Sequence, residues 1–282
     1  MKKKWNAKRM LSAAVLTVMP LLVFFLFILF PIYWTVITSF KPEAEITSKV
    51  ISYLPQTFTF NNYHEAWNNV GFSIFFKNSL YIAVGGVLLI VLVSIMAGYA
   101  LSRFRFKGKT AFMLVLLCTQ FIPSAMLITP MFIIFKKIGL LNNLFALVLV
   151  NTTFQIPFNA ILMRGFVGGI DYTIEEAAQI DGCSRTGAII RVIFPLLKPG
   201  IVATGAFAFI HCWNEFLFSF MFISKQPKFP LSVGLKYMMG EYAINYGQLA
   251  AGAVIAVIPV LILFSYIQKY LVGGISAGAV KG

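Results

Sequence analysis

The chain has 282 residues, 59% of them hydrophobic and only 11% charged, with a mean hydropathy of +0.85. Soluble domains carry about 25% charged residues, so this composition excludes a soluble globular domain and selects the membrane class. The formal net charge of +14 is strongly basic, and its distribution along the chain decides between a nucleic-acid surface and membrane topology.

Six long apolar stretches are read as transmembrane helices: 10–40, 78–102, 110–135, 138–163, 199–224 and 242–268. All lack Asp, Glu, Lys and Arg except for Glu215 in the fifth. Each meets the roughly 20 residues needed to cross about 30 Å of hydrocarbon. A spanning barrel would show segments of about 10 residues with alternating polarity. The expectation is an all-α integral membrane protein with six transmembrane helices.

The first stretch follows Lys2, Lys3, Lys4, Lys8 and Arg9, which superficially looks like a signal peptide. It is much longer than the core of about 7–15 residues in such a peptide, so a retained helix is expected. Pro20 and Pro31 within it predict kinks or tilt. Segment 41–75, with Pro42, Pro55, Asn61 and Asn62, is expected to be loop with short helical pieces. The second and third spans are joined by Arg103-Phe104-Arg105-Phe106-Lys107-Gly108-Lys109, and the third and fourth by 136–143. Pro123 and Pro130 fall in the third span, Pro157 in the fourth and Pro259 in the sixth. Broken helices that line a cavity would explain them, and so would the ordinary frequency of proline in membrane helices.

The basic residues divide unevenly between the two sides. With the N-terminus inside, the inner segments hold 15 of the 23 Lys and Arg residues. They are the five before the first span, four in 103–109, four in 164–198, and Lys269 and Lys281. This asymmetry places both termini in the cytoplasm. The positive charge is thus read as topology, with no nucleic-acid partner. Cys118, Cys183 and Cys212 are scattered singly and form no disulfide or metal pattern.

One polar island interrupts the apolar sequence, Asp171-Tyr172-Thr173-Ile174-Glu175-Glu176-Ala177-Ala178-Gln179-Ile180-Asp181-Gly182, with four of the nine acidic residues. Thr173 and Glu176 have the spacing of a capping box, and both glutamates sit at the positive end of the helix dipole. Gly182 suits the C-terminal stop. A helix from about 174 to 181 is expected. The residues alone permit two readings, a solvated loop helix in which Glu176 only caps, and a docking surface with low alanine relief.

Glu176-Ala177-Ala178, then Gly182 and Pro195, resembles the EAA signature of type I permeases of ATP-binding-cassette (ABC) importers. That signature is Glu-Ala-Ala, three residues, Gly, nine residues, then Ile-x-Leu-Pro. Here Val192 and Phe194 replace the isoleucine and leucine, an apolar exchange outside the island. Trp213-Asn214-Glu215-Phe216 and the ending Ala277-Gly278-Ala279-Val280-Lys281-Gly282 resemble the carbohydrate-uptake subgroup represented by the second permease of the maltose importer.

The resemblance covers nearly the whole chain. It implies a type I ABC importer permease of the bacterial or archaeal cytoplasmic membrane that translocates a sugar or oligosaccharide. It implies a homologous second permease, two ATPase subunits and an extracytoplasmic solute-binding protein docking near 41–75 and 225–246. The island would be the coupling helix, with Glu176, Ala177, Ala178, Asp181 and Gly182 contacting an ATPase. The glycine-rich tail would reach the ATPase pair. The implied layout is 1–40, cytoplasmic N-terminus and first span; 41–75, extracytoplasmic; 76–269, permease core with coupling loop 164–198; and 270–282, cytoplasmic tail.

No catalytic residue is expected. Gly108-Lys109-Thr110 ends like a phosphate-binding loop, but Arg103 occupies the required first glycine position and a span precedes it. ATP and Mg are therefore expected on partner subunits, with no cofactor on this chain. His211, Cys212 and Glu215 are too few for a metal site. Asn214 and Glu215 are polar within a span. Interior packing, a gate, or the translocation path all accommodate them. An ion-coupled secondary transporter is the alternative, supported only by Glu215. A membrane-embedded enzyme lacks an acid–base cluster.

Overall fold

The computed structural model describes residues 7–240 and 244–279. Every regular element among them is helical. The principal helices are α1 Ala7–Ser39, α2 Phe72–Arg103, α3 Lys109–Thr119, α4 Ser124–Lys137, α5 Leu144–Gly168 and α6 Tyr172–Ile180. They continue as α7 Arg185–Leu196, α8 Lys198–Asn214, α9 Leu217–Phe222, α10 Leu231–Met238 and α11 Tyr246–Ala279. Four helices (α1, α2, α5 and α11) are long and apolar enough to cross a membrane. The number rises to six if the bent pairs α3–α4 and α7–α8 each form one span.

Several expected boundaries change. The third apolar stretch is two helices meeting at 92° around Gln120–Pro123. Pro123 lacks an N–H and pushes the residue before it out of helical geometry. Pro130, Pro157, Pro20 and Pro31 lie inside continuous helices. The fourth helix starts at Leu144 instead of 138, because Gly139 and Asn142 take left-handed backbone and the Asn143 side chain caps the new start. The fifth stretch stops at Asn214 and resumes at Leu217. In the sixth, the described helix begins at Tyr246 and runs on to Ala279, into the glycine-rich tail. Residues 280–282, and Lys2, Lys3 and Lys4, lie outside the described residues.

The chain forms two compact units. The first comprises 1–70 with 238–255. There Lys41 is buried, donates to the Ser52 carbonyl and lies 5.0 Å over the Trp34 ring. The Glu43 carboxylate accepts from the backbone N–H groups of Tyr246 and Gly247 at 3.2 and 3.0 Å, capping the start of α11. Asn62 donates to the carbonyls of Ser39 and Lys41. The short helices Glu43–Ile46 and Asn61–His64 match the expected loop with helical pieces.

The second unit comprises 71–237 with 256–282 and is built on the packing of α2, α5 and α8. Small residues let membrane helices approach closely. A Cβ on Gly98 of α2 would sit 2.8 Å from the backbone nitrogen of Arg164 and from Met163 of α5. At one end, Tyr99, Met163, Val167, Ile193 and Leu197 form an apolar cluster. Elsewhere Ile82, Leu147, Val150, Phe218 and Phe222 form another.

Candidate functional site

Helix α6 is short and therefore needs both ends satisfied. The Asp171 side chain accepts from the Thr173 N–H at 3.0 Å, so Asp171 is the N-cap and the helix begins two residues before the expected start. The expected Thr173–Glu176 capping box does not form. Aspartate is the stronger cap, and once it acts, Thr173 is already inside the first turn. At the other end Gly182 has φ 90°, with the Cys183 N–H on the Ala178 carbonyl and the Gly182 N–H on that of Gln179. This is a Schellman ending, which favours glycine at that position.

The helical period separates the two adjacent glutamates. Glu175 and Ala178 face inward, and the Glu175 side chain is fully buried. Its Oε1 is hydrogen-bonded by the Tyr99 hydroxyl, and its Oε2 by Arg103 Nε at 3.2 Å. Arg103 also donates to the Ile170 carbonyl at 2.9 Å and lies 5.4 Å from the Tyr172 ring. A buried carboxylate requires such pairing, and losing one partner of a buried ion pair costs about 3–5 kcal/mol. The opposite face presents Thr173, Glu176, Ala177 and Ile180, the last 86% exposed. Of the five residues expected to dock, Glu176, Ala177, Asp181 and Gly182 are exposed and Ala178 is buried. Sequence reasoning missed the Glu175–Arg103–Tyr99 cluster and Ile180. The available signal was the three-residue spacing of Glu175 and Ala178, which assigns both to one face.

A second polar site lies where two helices break. The α3–α4 corner and the α8–α9 interruption border one cavity of about 330 Å³, lined by Gln120, Ser124, Gln155, His211, Glu215 and the rings of Phe154 and Phe218. Glu215 leaves the helix with extended backbone. Its carboxylate accepts from the N–H groups of Phe218 and Ser219 at 2.6 and 3.0 Å and from the Ser219 hydroxyl at 2.6 Å. The freed backbone of the break is thereby satisfied inside the apolar stretch. Asn214, though adjacent in sequence, lines a different hollow with Trp213 and Ser232 and donates to Ile210. Among the described residues no group of three or more His, Cys, Asp or Glu side chains converges as a metal site would require.

This arrangement matches known proteins across most of its length. The family model described as "binding-protein-dependent transport system inner membrane component" matches residues 90–276. The chain is 35% identical to the sulfoquinovosyl glycerol transport system permease protein SmoH of Agrobacterium fabrum, over 90% of this chain and 89% of that protein. It is 34% identical to the diacetylchitobiose uptake system permease protein DasC of Streptomyces coelicolor, over 98% and 100% of the two chains. Among solved structures, a chain of a bacterial ABC transporter involved in the import of the acidic polysaccharide alginate superposes with a TM-score of 0.83. It shares 25% identity, with 96% of this chain and 99% of that chain covered.

Proposed function

Because the chain belongs to the family of binding-protein-dependent transport system inner membrane components, a permease family and not an enzyme family, we propose that it is the sugar-translocating permease subunit of an ATP-driven importer. In this reading α6 is the coupling helix, pressed by a separate ATPase that carries ATP and Mg. The observation that carries the reading is the division of α6. One face is fastened to α2 through Glu175, and the other offers Glu176, Ala177 and Ile180 in a segment closed by Asp181 and Gly182. The full assembly contains a second, similar permease, two ATPase subunits and an extracytoplasmic solute-binding protein.

The four long helices, the bent α3–α4 pair and α8 make six crossings, with both termini in the cytoplasm, a reading that the distribution of Lys and Arg supports. Residues 76–269 act as the permease core, with loop 164–198 facing the ATPases, 1–40 and 270–282 carrying the cytoplasmic ends, and 41–75 lying outside. The cavity at the helix breaks is the translocation path or its gate, with Glu215 on its wall. Asn214, in the neighbouring hollow, supports that region. The named cargoes of the relatives, sulfoquinovosyl glycerol and diacetylchitobiose, indicate a glycoside or short oligosaccharide as cargo. Against an ion-coupled mechanism, the Glu215 carboxylate already accepts three hydrogen bonds that cap α9.

Glu176→Lys reverses charge on the outward face of α6 without touching the buried pair. Cells expressing it are expected to insert normal amounts of permease and lose uptake by about tenfold or more, since a coupling free energy of a few kcal/mol is removed. A panel containing sulfoquinovosyl glycerol, diacetylchitobiose, raffinose and an arabinotriose identifies the cargo in the same assay. Wild-type uptake by this variant would refute docking through α6.

A further inference from the structure

We propose that Glu175, together with Arg103 and Tyr99, is the joint that carries displacement of α6 into α2, a positioning role distinct from the docking role of Glu176. The inference rests on the reading of α6 as the coupling helix. Its ground is connectivity. Along the chain α6 follows α5 through a three-residue link, 169–171, whereas α2 lies some seventy positions away. The Glu175 carboxylate bridges that separation. It binds Tyr99 one turn before the end of α2 and Arg103 at the last residue of α2. Arg103 in turn holds the Ile170 carbonyl in the link itself. One guanidinium thus ties α6, the α5–α6 link and the end of α2 together, and the exposed fractions of the Arg103 and Glu175 side chains are 8% and 0%.

The surroundings favour transmission over slippage. Tyr99 belongs to the apolar cluster with Met163 and Val167 of α5, Ile193 of α7 and Leu197. Beside it, Gly98 lets α2 and α5 approach to backbone contact. A push on α6 that moved it away from α2 would have to leave a desolvated carboxylate and guanidinium unpaired, which low-dielectric surroundings penalise heavily. The outward residue Glu176 has no part in this bonding and is exposed, so two adjacent acids serve two partners, one inside the chain and one outside it.

The test uses the complete transporter reconstituted with its ATPase and binding protein. Two quantities are measured: the ratio of ATP hydrolysis with and without loaded binding protein, and disulfide cross-linking of Ala177→Cys to single cysteines placed along the ATPase surface. Glu175→Gln keeps shape and removes the charge. It is expected to retain the cross-link and the KM for ATP while the stimulation ratio falls about fivefold or more. A retained cross-link with a wild-type ratio overturns the joint and leaves docking intact. Absence of the cross-link in the Glu175-containing complex overturns the docking reading and the joint with it. If Glu175→Gln fails to accumulate, Tyr99→Phe, which removes one hydroxyl, is expected to lower the ratio about threefold. An unchanged ratio in that variant also overturns the proposal.

Discussion

Glu175 and Glu176 differ by one position and by everything that surrounds them. One is sealed against Arg103 and Tyr99, and the other faces outward. The presence of a capped helix was legible in its composition, and Gly182 was legible as its stop. The partners of Glu175 were not, because Arg103, which neutralises it, stands more than seventy positions earlier in what reads as an ordinary basic loop, and Tyr99 lies in an apolar stretch before it. The choice of Asp171 over Thr173 as cap was likewise ambiguous, since both residues accept helix N–H groups and only the true start decides between them. In the first unit Glu45 is held below the usual carboxylate range, chiefly by the Ser52 hydroxyl, with the N–H groups of Gln56 and Thr57 adding to it. Its folded pKa is lower than its unfolded value of about 4.3, so its stabilisation is complete above that pH and fades as pH falls through the folded value. Hydrogen exchange at Gln56 and Thr57, corrected for intrinsic rates, is expected to accelerate on acidification in the wild type. In Glu45→Gln it should be fast at all pH values; equal protection in the two proteins would contradict this role.

At the level of elements, apolar run length revealed where helices lie but not where they bend. The 92° corner at Gln120–Pro123 and the stop at Glu215 both occur inside runs that read as continuous. Pro123 breaks its helix while Pro130 and Pro157 do not, so proline alone does not set the bend. At the other break, Glu215 supplies the side-chain acceptor that makes an interruption tolerable. Asn142 plays a comparable part in the second unit. It adopts φ 56°, and its side-chain oxygen accepts from the N–H groups of Ser224 and Lys225 while its carbonyl accepts from Lys228. Two loops distant in sequence are thereby joined, which local patterning does not reveal. The α2–α5 crossing depends on Gly98, where a side chain would meet Arg164 and Met163 at 2.8 Å. Gly98→Val is expected to destabilise the purified permease by about 1–3 kcal/mol, seen as a lower midpoint in thermal unfolding. An unchanged midpoint would mean that the helices separate without penalty.

Over the whole molecule, a helical membrane protein was legible from composition and apolar run length, and its relationship to importer permeases from the spacing of Glu176, Ala177, Ala178, Gly182 and Pro195. The match across residues 90–276 and the superposition on an importer chain agree with that relationship. The division into two compact units was not legible, because residues 238–255 join the N-terminal segment through contacts such as Glu43 with Tyr246 and Gly247. The central claim is that work enters this chain from ATP hydrolysed on another subunit. It is tested most directly by uptake of whichever sugar the substrate panel selects into proteoliposomes holding the complete transporter. Uptake is predicted to require enclosed ATP, to persist when ionophores collapse every ion gradient, and to vanish in Glu176→Lys. Uptake that continues without ATP and stops on addition of ionophore would contradict the account.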